Sequence, residues 1–474
     1  MAQSRAMTAI ARRSGALAAL VATLVVASCG AANPTTPPTP ATPGAPAPSG
    51  APATSVPTAT AGTGSAPSAP ASTSPSASPA AFSCDPAGSA SAVPSQVAGD
   101  PNAAAYDAIE QQMQAIRGLR ATTKVERDVM DKPALCAFLT HQFQQDNPPE
   151  LVRGTEALYK QLGLLPEDAS LENLYIELLT SQVAGLYDDK TKHMYVISSS
   201  DQAGPVERFT YSHEYTHALT DQAFDLRKVV GTDTDQSDRS LARSALIEGD
   251  ATLAMTLWAR DNLTPAELMQ AAAAADPAAQ AVLDRMPAIL KDPLLFPYTS
   301  GLQLALGGYT SGGYGGVDSL YHNPPDSTEQ VLHPEKLAAR EAPVKVAFPE
   351  DLAARLGNGW KVSLQDTFGE LLLGIILKDA GATASETAAA GWGGDRVALI
   401  EGPNGETAVV LDTAWDTEAD ATQFETAAGS LVSKLTSAGK SASVLRPDPK
   451  RRVLISADSP ETMGKVANVL GLAG

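Results

Sequence analysis

An HExxH motif at residues 213–217 constrains this chain more than any other feature. On a helix its two histidines, His213 and His217, lie on one face, where both imidazoles can bind a single Zn²⁺. Glu214 projects about a quarter-turn away, so it can reach a water on the metal without being a ligand. The metal would lower the pKa of that water, and Glu214 would accept its proton. The motif therefore predicts a helix that carries a zinc site and a general base.

The residues around the motif are unlike those of a solvated helix face. Residues 210–212 read Thr-Tyr-Ser, and Ala-Leu follows the motif at 218–219. Glu214 is the only charged residue in this stretch, whereas an exposed face usually carries Lys and Glu. These flanks favour a zinc site over an ordinary amphipathic helix with two polar histidines.

A zinc hydrolase needs a third protein ligand and keeps a fourth position open for water. The Gly and His that metzincins carry after the motif are replaced by Thr220 and Ala223, which excludes that class. A better candidate lies in the apolar segment 245–255, which contains the carboxylates Glu248 and Asp250. A buried carboxylate without a partner is costly, and a metal removes that cost. We therefore predict a site of two histidines and Glu248.

Two other acidic residues compete with Glu248 for the third position. Asp250 lies in the same apolar segment, and Asp221 follows His217 by one helical turn. If neither is a ligand, each can orient an imidazole from behind. A helix cap or a surface charge is an equally good interpretation of both.

These segments resemble the gluzincin class of zinc metallopeptidases. The resemblance implies the two motif histidines as ligands, Glu214 as general base and Glu248 as third ligand. More narrowly, the chain is similar to a group of secreted bacterial metallopeptidase-like lipoproteins. The matching segments, spread over residues 100–420, are SHEYTHALTDQAFDL, ALIEGDATLAM, QVAGLYDDKTKHMYVI, STEQVLHPEKL and GWGGDRVALIEG. The chain departs from the class at Thr252, where many gluzincins carry an acidic residue.

The region after the Gly/Tyr-rich stretch 307–316 offers a residue that could stabilise an oxyanion. Zinc peptidases commonly use a late His or Tyr for this purpose, and His333 is our candidate. Tyr309 and Tyr314, on a predicted flexible loop, are alternatives. His333 also fits a capped turn before Pro334.

A β-hairpin is predicted just before the motif. Residues 183–187 and 193–197 alternate as strands around the polar turn 188–192. In gluzincin-like folds such a strand forms the edge of the cleft, where an extended peptide can pair with it. A purely structural hairpin is the alternative. His193, beside the turn, is interpreted as a surface histidine.

The N-terminus has the features of an export signal. A basic region precedes an apolar segment at 16–27 that is too short for an ordinary membrane span. The sequence Val-Ala-Ser-Cys at 26–29 is similar to a bacterial lipobox, so residues 1–29 are predicted to be a lipoprotein signal peptide. Cleavage before Cys29 would leave a lipidated cysteine, and ordinary secretory cleavage nearby is the alternative.

Composition then separates a tether from the folded part. Residues 30–83 are nearly all Pro, Ala, Thr, Ser and Gly, so they cannot bury a core and are predicted to be disordered.

After Cys29 the chain has two more cysteines, Cys84 and Cys136. A disulfide between them suits an exported protein, although both could stay free and buried. The net charge of −19 excludes a nucleic-acid partner.

The expected fold class is α+β. Residues 84–385 are predicted to form a mainly helical, zincin-like catalytic domain with a small sheet. Residues 386–474 are predicted to form a ββαββα two-layer sandwich. Residues 368–377 read as a buried helix, and 392–396 as a tight corner. The strands of the sandwich are predicted at 397–400, 408–411, 443–445 and 453–456, and its helices at 418–436 and 460–470.

Together these features predict a zinc metallopeptidase anchored through lipidated Cys29 on the extracytoplasmic face of the membrane. It would hold one Zn²⁺ per chain and act on a peptide or protein substrate. A non-catalytic envelope lipoprotein that binds a partner and a metal-dependent cell-wall amidase are the alternatives. The intact Glu214 argues against the first, and the HExxH/Glu arrangement is found mostly with peptide bonds. The sequence sets neither the cleavage specificity nor the oligomeric state.

Overall fold

The computed structural model describes residues 102–197, 203–233, 235–274 and 276–472. The predicted signal peptide, the tether and Cys84 lie outside the described residues. Within them the chain is α+β, with helices throughout and two separate sheets. None of the helices in these ranges is long and apolar enough to span a membrane.

The helices are α1 (Ala103–Arg117), α2 (Lys132–Asp146), α3 (Pro149–Gln161), α4 (Leu171–Gln182), α5 (Pro205–Phe224), α6 (Leu226–Val230), α7 (Ser237–Asn262), α8 (Pro265–Ala273), α9 (Pro277–Arg285), α10 (Ala288–Gly312), α11 (Tyr314–His322), α12 (Thr328–Leu332), α13 (Pro334–Ala339), α14 (Leu352–Leu356), α15 (Gly369–Asp379), α16 (Ser385–Ala389), α17 (Glu418–Ser437) and α18 (Pro460–Val469). The strands are β1 (Glu126–Met130), β2 (Gly185–Asp188), β3 (His193–Ile197), β4 (Lys361–Asp366), β5 (Trp392–Glu401), β6 (Thr407–Trp415), β7 (Ser441–Asp448) and β8 (Arg451–Ala457).

The small sheet has the strand order β1-β3-β2. β2 and β3 pair antiparallel, with Gly185 opposite Val196, which confirms the predicted hairpin. β1 pairs parallel with β3 on the other side. Its sequence, Glu-Arg-Asp-Val-Met, lacks the alternation of a half-buried strand, so periodicity gave no sign of it. Cys136, on the following helix α2, is in a disulfide whose partner lies outside the described residues.

The motif helix α5 is buried along most of its length. Pro205 occupies its first turn, where a missing N–H costs nothing, and the Glu207 carboxylate accepts a hydrogen bond from the Gly204 backbone at 2.9 Å. Residues 209–221 are all buried. The helix packs against α1, α7 and the small sheet, and these contacts bury the polar residues of the motif.

Two glycines allow α7 and α10 to pack closely. A Cβ on Gly249 would lie 2.0 Å from the carbonyl oxygen of Gly301, and a Cβ on Gly301 would lie 2.1 Å from that of Ala245. The helix backbones therefore touch at this point, one residue beyond Glu248. The Gly/Tyr-rich stretch 307–316, predicted to be a flexible loop, is instead the end of α10 and the start of α11. A Cβ on Gly316 would lie 2.0 Å from the Gly308 carbonyl oxygen, so Gly308 and Gly316 allow close packing between the two helices.

The larger sheet is antiparallel with the order β4-β5-β6-β8-β7. All four predicted strands are present. The sheet has a fifth strand, β4, which precedes the predicted start of this domain at residue 386. The two-layer prediction was wrong, because helices cover both faces. Val397 and Leu399 belong to the apolar cluster that contains α3, α15 and α17, whereas Ala398 and Ile400 belong to a separate cluster with α14 and α18. The unbroken apolar run at 397–400 is typical of such a doubly buried strand.

The segment 392–396 is the first half of β5, not a corner. Gly391, which has a φ of +79°, makes the turn immediately before it. The buried carboxylate of Asp395 accepts hydrogen bonds from the backbone N–H groups of Phe368 and Gly369, at 2.9 and 2.8 Å. These bonds fasten the start of the predicted buried helix, α15, to the large sheet.

Candidate metal centre

α5 places the two motif histidines side by side in the protein interior. His213 is fully buried and His217 is 5% exposed. Their rings meet edge to face, and the two Nε2 atoms are 3.0 Å apart. The helical spacing thus produces the shared face that the motif predicted, and burial removes competing solvent from it.

α7 brings Glu248 to the same point. Its Oε2 lies 3.1 Å from the Nε2 of His213 and 3.3 Å from that of His217. Ligand atoms about 2.0–2.1 Å from a tetrahedral zinc ion lie about 3.3 Å from one another. Two imidazole nitrogens and one carboxylate oxygen are also a common zinc donor set. The donors present therefore fit one zinc ion and leave a fourth coordination position.

Glu214 lies beside this triad without joining it. Its Oε2 accepts a hydrogen bond from the backbone N–H of Tyr187 at 2.9 Å, while its Oε1 is buried and has no hydrogen-bond partner among the described residues. Gly185 makes this arrangement possible, because a Cβ there would lie 2.8 Å from the Thr210 methyl and 3.3 Å from the Glu214 Cγ. The edge strand β2 thus holds one carboxylate oxygen and leaves the other free.

Burial and mutual charge shift the pKa values of all four groups. Burial raises the pKa of Glu214 to about 8, although the neighbouring His217 partly opposes it. Burial disfavours the charged form of Glu248 as well, but His217 and His213 outweigh it and lower the pKa to about 2. Burial lowers the pKa of His213, whereas the Glu248 carboxylate overcomes burial at His217 and raises its pKa to about 9. Without metal, the cluster is therefore held together as an ion pair.

The competing ligand Asp250 is turned toward a different partner. Arg117 of α1 places its Nε 3.0 Å from the Asp250 carboxylate, and the hydroxyl of Tyr321 donates to it at 3.0 Å. Both side chains of the ion pair are completely buried. Asp250 therefore ties α7 to α1 and α11, and it is not among the atoms that converge at the cluster.

Asp221 is likewise engaged elsewhere. Its carboxylate accepts hydrogen bonds from the Tyr187 hydroxyl, the Lys192 ammonium and the backbone N–H of Leu226. It fastens the end of α5 to the hairpin and to α6. His193 also has another partner, since its Nε2 lies 2.7 Å from Asp128 of β1.

The imidazole of His213 lacks the support that ligating histidines usually have. Its Nδ1 is buried without a hydrogen-bond partner among the described residues. The hydroxyl of Thr252 is also buried and has no hydrogen-bond partner among them. Tyr298 of α10 stacks over the His213 ring instead, at 6.0 Å between centroids. The sequence did not predict a role for Tyr298. A single tyrosine in an apolar helix is not unusual, and its contact with His213 exists only because α10 packs on α7.

The structure does not bring His333 to the cluster through any described contact. Its Nε2 is 2.8 Å from Glu370 Oε1, and it lines a cavity to which none of the four cluster residues contributes. Its role in stabilising an oxyanion stays a prediction. Tyr314 lies under Arg117, with 4.5 Å from the guanidinium to the ring, and Tyr309 packs against Tyr314.

A second group of carboxylates could hold a metal by its spacing alone. It consists of Glu329, Glu341 and Asp416. Lys336 already occupies its centre, with its ammonium 2.7 Å from Glu329 and 2.8 Å from Glu341. This group is therefore an ion-pair network.

Comparison with known proteins gives one match. Residues 358–460 match a domain of unknown function, DUF8575. The match covers the large sheet with α15 and α17, and it does not reach the candidate metal centre. The chain matches no curated protein and no solved structure with which it was compared.

Proposed function

We propose that this protein is a zinc metallopeptidase that hydrolyses peptide bonds outside the cytoplasm, anchored to the membrane through lipidated Cys29. One observation carries the proposal. His213 and His217, from one helix, meet Glu248 from another in a single buried cluster, next to a carboxylate with a free oxygen. Such a concentration of ionisable groups in the interior is costly unless it serves a ligand.

Zinc bound there would polarise a substrate carbonyl and make a water nucleophilic at neutral pH. The protein would contribute the ligands and the base. Glu214 is held through Oε2 by the Tyr187 N–H, which keeps Oε1 at a fixed place to accept a proton. Its raised pKa suits a group that takes a proton and later returns it to the leaving amine.

The small sheet offers a place for the substrate backbone. β2 is an edge strand, and the N–H of Tyr187 points from that edge to Glu214. An extended peptide lying along such an edge can form backbone hydrogen bonds and present its carbonyl to the cluster. This arrangement favours a peptide over other acyl substrates.

The test is digestion of a peptide library by the full-length, zinc-loaded chain, with products identified by mass spectrometry. Wild type should cleave, and Glu214→Gln should not, because an amide cannot accept the proton. Glu461→Gln, which changes an exposed carboxylate on α18, is the matched control and should cleave like wild type. A zinc-loaded wild type that cleaves nothing would overturn the proposal and favour a partner-binding lipoprotein. Cleavage of cell-wall amides alone would favour the amidase alternative.

A further inference from the structure

A second concave site lies on another face of α10. It is a cavity of about 710 Å³, within the range of small-ligand sites. α10 contributes Phe296 and Thr299 to its wall, whereas Gly301 and Tyr298 of the same helix contact α7 and His213. α10 therefore contributes to both the cavity and the metal centre, but through different residues.

The cavity contains a buried carboxylate with one unused oxygen. Glu370, at the start of α15, has a side chain only 6% exposed and lines the cavity. Its Oε1 accepts a hydrogen bond from His333 Nε2 at 2.8 Å, while its Oε2 is buried and has no hydrogen-bond partner among the described residues. A buried acceptor without a donor is unfavourable, so this carboxylate can accept a further hydrogen bond from a ligand.

The other residues that line the cavity indicate the polarity and charge of the ligand that would fit it. The residues around Glu370 are largely apolar, and Leu332 at the rim is a large hydrophobic side chain left 36% exposed. Three carboxylates line the cavity, those of Asp292, Glu370 and Glu386, against one lysine, Lys378. The cavity is thus apolar in its walls and negative in its net charge.

We propose that this cavity binds a primary ammonium group carried on an apolar body. The ammonium pairs with the carboxylate of Glu370, which lines the cavity, and the apolar body packs against Phe296, Leu371 and Ile375. His333 positions Glu370 by holding its other oxygen. Both a free hydrophobic amine and the N-terminus of a peptide with an apolar first residue have this chemistry. The site is independent of the metal cluster, so it stands whether or not the chain is a peptidase.

Binding can be measured by titrating the full-length chain with phenethylamine, 2-phenylethanol and phenylacetate. These probes share an aromatic body and differ in charge. Phenethylamine should bind at least about tenfold more tightly than the alcohol, a difference of about 1.4 kcal/mol, and phenylacetate should bind most weakly. Equal affinity for the amine and the carboxylate would overturn the proposal.

The dipeptide amide Phe-Gly-NH₂ and its N-acetyl form then show whether the ligand is a free hydrophobic amine or the N-terminus of a peptide. If the free dipeptide binds and the acetylated one does not, the site accepts peptide N-termini; if only phenethylamine binds, it accepts small amines.

Two substitutions test whether phenethylamine binds in this cavity. Glu370→Gln keeps an acceptor for His333 but replaces the free oxygen with an amide N–H₂, so phenethylamine affinity should fall at least about tenfold. Gly374→Leu fills the cavity, because a Cβ there meets only the Ala389 methyl at 3.7 Å, and it should also abolish binding. Asp379→Asn, which changes an exposed carboxylate on the same helix outside the lining, is the control. Unchanged affinity in both folded variants would refute the assignment. Zinc content should be unaltered throughout, which distinguishes failure here from failure of the metal centre.

Discussion

The Nε2 of His213 lies 3.1 Å from Oε2 of Glu248, although 35 residues separate them in the chain. The contact joins α5 to α7, and it brings Glu248, not the other acidic residues nearby, to the histidines. Asp250, two residues further along α7, faces Arg117.

Replacing Glu248 should empty the metal site. Glu248→Ala removes one of three donor atoms, and zinc content by elemental analysis should fall from about one per chain to near zero. Asp250→Asn is the comparison variant: it weakens the buried ion pair with Arg117 but removes no donor atom of the cluster, so the folded variant should keep its zinc. Loss of zinc from the Asp250 variant with retention in the Glu248 variant would assign the third ligand to Asp250.

Zinc binding should release protons near neutral pH. The pKa of His217 is raised to about 9 by Glu248, so without metal its imidazole is protonated at pH 7.5 and must lose that proton to ligate. Affinity should therefore rise with pH up to about 9 and fall as pH drops. Calorimetric titration in buffers of different ionisation enthalpy would measure at least one proton released per zinc. An enthalpy independent of the buffer would contradict this.

Closing the gap between α7 and α10 should damage both stability and the metal site. Gly249→Ala puts a methyl 2.0 Å from the Gly301 carbonyl oxygen, so the helices must separate. We expect a loss of about 2 kcal/mol or more in the free energy of unfolding, and weaker zinc binding because Glu248 is the adjacent residue. Gly307→Ala lies on α10 with nothing within 4 Å of its Cβ, and it should be neutral or slightly stabilising. Equal unfolding midpoints for the two variants would show that the close contact is not required.

Membrane attachment should depend on Cys29. A bacterial lipoprotein carries two or three acyl chains and stays bound, whereas one chain alone holds a protein marginally. Cys29→Ala should block incorporation of a palmitate analogue and leave the precursor unprocessed or the protein released. Fractionation of cells expressing each form is the measurement. If wild type is also unlabelled and released, Cys29 is incidental and the protein is simply secreted.

Local pattern predicted a large part of what the structure contains. The hairpin before the motif, α15 and the strands of the large sheet each have a periodicity or apolar run that is visible within a few residues. The extra strands β1 and β4 escaped prediction. Three of the five residues of β1 are charged, and its strand conformation comes from pairing with β3, which no local pattern records. The helical form of most of 307–316 escaped for a related reason, since only the close approach of α10 and α11 explains Gly308 and Gly316.

The sequence by itself determined that His213 and His217 share one face, because helix geometry alone fixes this for residues four apart. It also limited the candidates for a third ligand to a few carboxylates. Only the tertiary structure shows which of these carboxylates lies beside the histidines. The close packing of α7 on its neighbours turns Glu248 toward the histidines and Asp250 toward Arg117, and those directions depend on contacts between segments far apart in the chain. For the same reason the pairing of His333 with Glu370, and the cavity that surrounds them, could not be read from either segment alone.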